Sequence, residues 1–175
     1  MSEMKQGYED MDRSDLLEWA NHEHEHLDRL FKDLRATFGR IAAGEVPAAQ
    51  MREVVDQAVE DLDAALGDML EHFADEEEVY FLAIQELHPS YSTQIESLID
   101  THESLTRRTR GLRGKLSAGP KAIQEDAMSL IADLNGLFEE LSRHNAEEQV
   151  LFDEALKQLT ADERAELLTH RQSLG

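Results

Sequence analysis

Two short stretches of the chain, His72-Phe-Ala-Asp-Glu76 and His144-Asn-Ala-Glu-Glu148, place an imidazole and a carboxylate four residues apart. On an α-helix that spacing stacks both side chains on one face, so each pair can reach a single point. Imidazole and carboxylate without thiolate suit iron, manganese or zinc, and a chain with no Cys must hold any metal through nitrogen and oxygen. Two more histidines, His24 and His102, fall at inward positions of their own segments. Four imidazoles and two carboxylates, from His24, His72, Glu76, His102, His144 and Glu148, are therefore expected to converge. A buried, charged glutamate is costly unless it is paired or bound to metal, so two of them in leucine-rich stripes call for a cation. Six ligands are too many for one tetrahedral zinc. Two ions share them more naturally, with each glutamate bridging and each ion taking two histidines.

Long helices must carry these residues. The only three prolines, Pro47, Pro89 and Pro120, divide the chain into four segments rich in Leu, Ala, Glu, Gln, Arg and Met, with Gly44 and Gly119 ahead of two of the breaks. Proline is tolerated at a helix start and glycine favoured past a helix end, so this punctuation marks boundaries. No segment shows the two-residue alternation of a strand. The expected helices span roughly 14–43, 48–87, 91–117 and 121–158. Apolar residues recur at three–four spacing, giving one inward stripe per helix. The stripes read Ala20, His24, Leu27, Phe31, Leu34, Phe38, Ile41; Leu62, Ala65, Met69, His72, Glu76, Tyr80; Ile95, Leu98, His102, Leu105, Thr109, Leu112, Leu116; and Ile123, Ala127, Leu130, Leu134, Leu137, Leu141, His144, Glu148, Leu151. Short connections make successive helices antiparallel, so the predicted fold is all-α, an up-down-up-down four-helix bundle over 13–159. Residues 1–12 read as a disordered acidic tail. Thr160 with Glu163 forms a capping pair that opens a short extra C-terminal helix over 160–175.

A lone inward histidine is usually a satisfied core residue, and a stripe two positions wide in seven would catch about two of the eight histidines by chance. The regularity argues for metal: one inward histidine per helix, and His-x-x-x-Glu on the second and fourth. The order His24 then His72/Glu76, followed by His102 then His144/Glu148, reads as an internal duplication.

The 175 residues carry 17 Lys+Arg against 38 Asp+Glu, a net charge of −21, with 41% hydrophobic residues. That is one domain with enough apolar material for a core. The acidic excess repels phosphate backbones and anionic headgroups, so no nucleic acid and no membrane is expected as a partner, and cations are favoured. No apolar run is long enough to span a bilayer, and a cytoplasmic protein is expected. There is no Gly-rich phosphate loop and no nucleophile with its base, so no catalytic residue is assigned and a hydrolase or transferase is disfavoured.

The residues resemble the hemerythrin-like, or HHE cation-binding, domains. The resemblance covers nearly the whole chain and rests on His24 in HEHLDRLF, His72/Glu76 in EHFADEEEVYF, His102 in THESL and His144/Glu148 in RHNAEEQVLF. It implies a four-helix bundle around two iron ions, an oxo- or hydroxo-bridged non-haem di-iron centre, with those six residues as ligands. Oxygen-carrying hemerythrins have a second histidine where this chain has Thr106, and a final Asp where it has Gln149. Reversible oxygen carriage is therefore not expected. The pattern is closer to bacterial members linked with nitric-oxide or oxidative-stress responses. Two histidines, two bridging carboxylate oxygens and a bridging oxygen give each iron five ligands, leaving a position for small diatomic or peroxide ligands: oxygen, peroxide or nitric oxide. The alternative is an iron- or oxygen-sensing module without turnover, and a structural zinc bundle comes third.

Among the remaining residues, His22 and His26 are the first candidates for a seventh ligand but flank the stripe and read as solvated. Tyr80 and Phe152 lie one turn beyond the site glutamates and read as packing. Trp19 reads as rim packing, and His88 and His170 as surface residues. Glu77 and Glu147 are either outer-shell or solvent-facing. Arg107, Arg108, Arg110 and Arg113 read as a solvated face paired with acids. Gly67 and Gly136, inside helices, are expected to mark close helix approach.

Overall fold

The structure, a computed structural model, describes residues 13–163, with side chains from residue 24 onward. The readings made for residues 1–12, for the side chains of Trp19, Ala20 and His22, and for 164–175, His170 included, lie outside the described residues. Helix α1 spans Arg13–Ala42, α2 Met51–Asp75, α3 Leu82–Leu87, α4 Ser92–Leu116 and α5 Pro120–Gln158. A π-helical turn, Glu76–Phe81, joins α2 to α3, so the expected second helix runs on to Leu87 but with a change of winding in the middle. Each remaining boundary lies within three residues of its expectation.

The breaks follow from local chemistry. Gly44 and Gly119 adopt φ of 70° and 92°, the left-handed conformation that glycine takes without a Cβ penalty. Pro120 occupies the first turn of α5, where its missing N–H leaves no bond unmade. After Pro47 the chain first makes a turn, with Gln50 N–H donating to the Pro47 carbonyl at 2.9 Å, and this delays α2 to Met51. The expected capping pair is formed: Thr160 N–H donates to Glu163 Oε2 at 2.7 Å, and Glu163 N–H to Thr160 Oγ1 at 3.3 Å.

Helix α1 packs against α2 and α5, and α4 against the same two, so the four long helices close a ring. Two apolar clusters fill it. The larger contains Phe31, Phe38, Leu62, Leu112 and Leu134 and reaches the α1–α2 and α4–α5 turns. The smaller gathers Tyr80, Phe81, Ile84, Leu98 and Phe152 toward the other end. Among the described residues, no helix is long and apolar enough to cross a membrane.

Arg108 pairs with Glu140, which also accepts from Ser104 Oγ at 2.8 Å, and Arg113 meets Asp63 at 3.0 Å, so part of the basic cluster is matched by acids as expected. Gly136 is tight because Arg108 lies over it: a Cβ there would sit 2.6 Å from a guanidinium nitrogen. Gly67 has open space around it, so close approach does not explain that glycine. His88, expected at the surface, is half-buried with its ring edge-on to Tyr91.

Candidate metal centre

Seven polar or charged residues are buried among those described: His24, His72, Glu76, His102, Thr109, His144 and Glu148. Thr109 is satisfied within its own helix, its hydroxyl donating to the Leu105 carbonyl at 2.9 Å. The other six are the residues singled out by spacing, and they meet in a single layer. His24 comes from α1, His72 from the last turn of α2, Glu76 from the start of the π turn, His102 from α4, and His144 and Glu148 from α5.

Within the layer the histidines form two pairs. His24 Nε2 lies 3.0 Å from His72 Nε2, and His102 Nε2 lies 3.0 Å from His144 Nε2. Two nitrogen ligands bound to one ion at about 2.1 Å and at right angles stand about 3.0 Å apart, so each pair has the spacing of adjacent ligands on a shared ion. Glu76 faces both pairs: Oε1 is 2.7 Å from His72 Nε2, and Oε2 is 3.1 Å from His102 Nε2. Glu148 Oε2 is 3.5 Å from both His24 Nε2 and His144 Nε2, one histidine of each pair. Two groups have ligand atoms all within 4.8 Å of one another, His24/His72/Glu76/Glu148 and Glu76/His102/His144. Glu76 belongs to both.

The electrostatics ask for a cation. Glu76 and Glu148 are wholly buried, and none of their four carboxylate oxygens receives an aligned hydrogen bond. Burial, reinforced by the neighbouring Glu148 charge, drives the Glu76 carboxyl well above its ordinary value. Burial pushes Glu148 the same way, but contact with the His144 and His24 imidazoles outweighs it and holds that carboxyl below its ordinary value. Burying both carboxylates as anions side by side is therefore costly without a cation. Burial also lowers His24, but Glu148 and Glu76 beside it win and raise it above its ordinary value. Burial and then the adjacent His144 bring His102 down to about 2. A cationic metal would balance the carboxylates and accept neutral imidazole lone pairs, so the donor set fits a metal.

The surroundings sort the neighbours that spacing left open. Glu77 turns toward the layer and its Oε1 sits 2.6 Å from His102 Nδ1, whereas Glu147 is exposed. The His102 ring stacks on Phe73, with centroids 3.8 Å apart and planes 8° from parallel. That contact was not anticipated, because Phe73 lies off the stripe that carries His72. Tyr80 and Phe152 meet edge-on at 6.0 Å in the smaller apolar cluster. His26 is held by Asp68 of α2 at 3.0 Å and belongs to neither ligand group. A cleft of about 390 Å³ runs past His102 between α2 and α4, lined also by Glu77, Thr106, Arg107 and Arg110. Another, of about 320 Å³, opens beside His24 between α1 and α5, next to Asp28, Asn145 and Gln149.

Residues 15–163 match the family described as the hemerythrin HHE cation binding domain. No curated protein and no solved structure matches the chain significantly.

Proposed function

Since the chain belongs to the hemerythrin family of HHE cation-binding domains, we propose that its buried layer holds two iron ions and that the protein binds or reacts with oxygen, peroxide or nitric oxide, in a stress response. In this reading His24 and His72 serve one ion, His102 and His144 the other, and Glu76 and Glu148 are shared between them. The observation that carries it is the placement of Glu76, one carboxylate oxygen beside each histidine pair. When bound, the iron pair supplies redox-active positions at which a small molecule can attach.

The chain's own residues supply the rest. Apolar clusters on either side of the layer exclude water and large molecules. The net charge of −21 raises the local concentration of cations. The clefts beside His24 and His102 give diatomic molecules a short approach. Thr106 lines one cleft and Gln149 the other, so the two positions that differ from oxygen-carrying hemerythrins both border the site without adding an imidazole or a carboxylate. That favours reaction or sensing over reversible oxygen carriage.

Metal analysis combined with an absorption spectrum tests the proposal. Two irons per chain, with bridged ferric bands that change on adding peroxide or nitric oxide, are the expected result. Bands that ignore both reagents, with melting that depends on iron, would replace reactivity by sensing. Zinc alone, or two irons retained after His72→Ala together with Glu148→Ala, would overturn the assignment.

A further inference from the structure

The two His-x-x-x-Glu units are followed by matching apolar residues at different distances. In α5, Val150, Leu151 and Phe152 stand six, seven and eight residues after His144, while Val79, Tyr80 and Phe81 stand seven, eight and nine after His72. The second helix therefore contains one more residue between the site glutamate and the apolar group. Helix α5 runs through this region as a regular α-helix, whereas the chain after α2 widens into the π turn Glu76–Phe81. A π turn is the usual way a helix absorbs one extra residue, and such turns concentrate at functional sites. Beyond it the two copies are in step again: Phe81 and Phe152 are both buried, with ring centroids 6.0 Å apart.

The widened turn brings Glu77 inward. Its Oε1 lies 2.6 Å from His102 Nδ1, while the residue after Glu148 is Gln149, which lines the cleft beside His24. Phe73 stacks on the His102 ring, and Phe81 lies 16° from parallel to it at 5.8 Å. These contacts fix the plane of the imidazole but not which nitrogen carries the proton. Glu76 Oε2 stands 3.1 Å from Nε2 without an aligned hydrogen bond, whereas Nδ1 makes one to Glu77 at 2.6 Å, and an ionised carboxylate there only accepts, which fixes the proton on Nδ1.

We propose that Glu77 is a positioning residue, carried inward by the extra residue of the π turn, whose carboxylate accepts the Nδ1–H of His102 and leaves the Nε2 lone pair facing the metal layer. This rests on the reading of the layer as a metal site, but its decisive test does not. Nitrogen-15 NMR of the metal-free protein reports the tautomer of His102 directly. The wild-type chain should show the Nδ1–H form, and Glu77→Ala should shift His102 toward a mixture with the Nε2–H form. Glu77→Gln, whose amide oxygen still accepts, should restore the wild-type tautomer, and Glu147→Ala should leave it untouched.

The functional readout is release of ferrous iron to a chromophoric chelator. Loss of such an outer carboxylate typically weakens a metal site on the order of 10- to 100-fold, here in Glu77→Ala for one of the two ions. A His102 tautomer unchanged in a folded Glu77→Ala protein overturns the proposal whatever the iron does. So does unchanged iron release in a protein that binds two irons. If no iron binds but the tautomer shifts as stated, the metal reading fails and the positioning role stands.

Discussion

The pairs His24/His72 and His102/His144 have the same nitrogen spacing and face the same two glutamates, yet they are held differently. His102 is clamped by the Phe73 stack and the Glu77 carboxylate. His24 is the most exposed of the six at 7%, meets His72 edge-on, and borders a cleft where Asp28 and Asn145 each bury an oxygen without a hydrogen-bond partner. Donors of the same kind thus acquire unequal surroundings from their neighbours. The ring of His102 is held by more contacts than that of His24.

The largest effect is expected from removing the clamp's ring. Phe73→Ala should cost about 3–5 kcal/mol of stability, the range for deleting a buried aromatic, and should also weaken iron retention on the His102 side. Phe38→Ala, in the larger apolar cluster, should cost a similar amount and leave iron retention alone. Urea unfolding with chelator competition on both variants checks this. Equal loss of iron in the two would mean that the clamp is generic packing.

Acidity should separate the two sides next. His102, held far below its ordinary 6.5, stays neutral while the unfolded chain takes up a proton, so its contribution falls as pH drops below 6.5. His24 is raised, so its contribution is complete below 6.5 and lost as pH climbs through its folded value. Raised Glu76 behaves like His24, with its contribution complete below 4.5, whereas lowered Glu148 behaves like His102 and loses its contribution below 4.5. Just above 4.5 Glu76 and His102 therefore pull in opposite directions. Below 4.5 His102 and Glu148 act together, and stability falls as pH falls. Urea unfolding of metal-free protein should show stability falling as pH drops below 4.5, and stability that rises there would contradict this. The loaded protein should instead release metal as pH falls through about 6 to 5, because ligating histidines must be neutral.

The smallest effects concern the two helical glycines. Gly67→Ala meets open space and should stabilise the chain by about 0.5–1 kcal/mol through helix propensity. Gly136→Ala must push the Arg108 guanidinium aside and should gain less, a difference visible in thermal melting.

Much of this was legible in residue spacing. Among the described residues, the stripes place every buried histidine and glutamate correctly because an inward position on a long amphipathic helix is set by the 3.6-residue period. The π turn escaped the same reasoning, since a count along 48–87 at constant period has no place for an inserted residue. Its trace lies in the offset between EHFADEEEVYF and RHNAEEQVLF, where Val and Phe arrive one residue later after His72 than after His144. Glu77 and Glu147 flank their site glutamates on opposite sides, and which flank meets another helix is set by packing around the ring, which spacing along one helix does not give. The Phe73 stack on His102 is a contact between helices, which no single stripe encodes. The pairing of the histidines likewise depends on which helices are neighbours around the ring, a tertiary fact.

The central claim is that two ions share one buried layer, and anomalous diffraction at the iron edge from crystals of the iron-loaded protein tests it most directly. Two peaks are predicted, one at coordination distance from Nε2 of His24 and His72, the other from Nε2 of His102 and His144, with the Glu76 carboxylate between them. A single peak, or peaks among the surface carboxylates with the layer vacant, would contradict it.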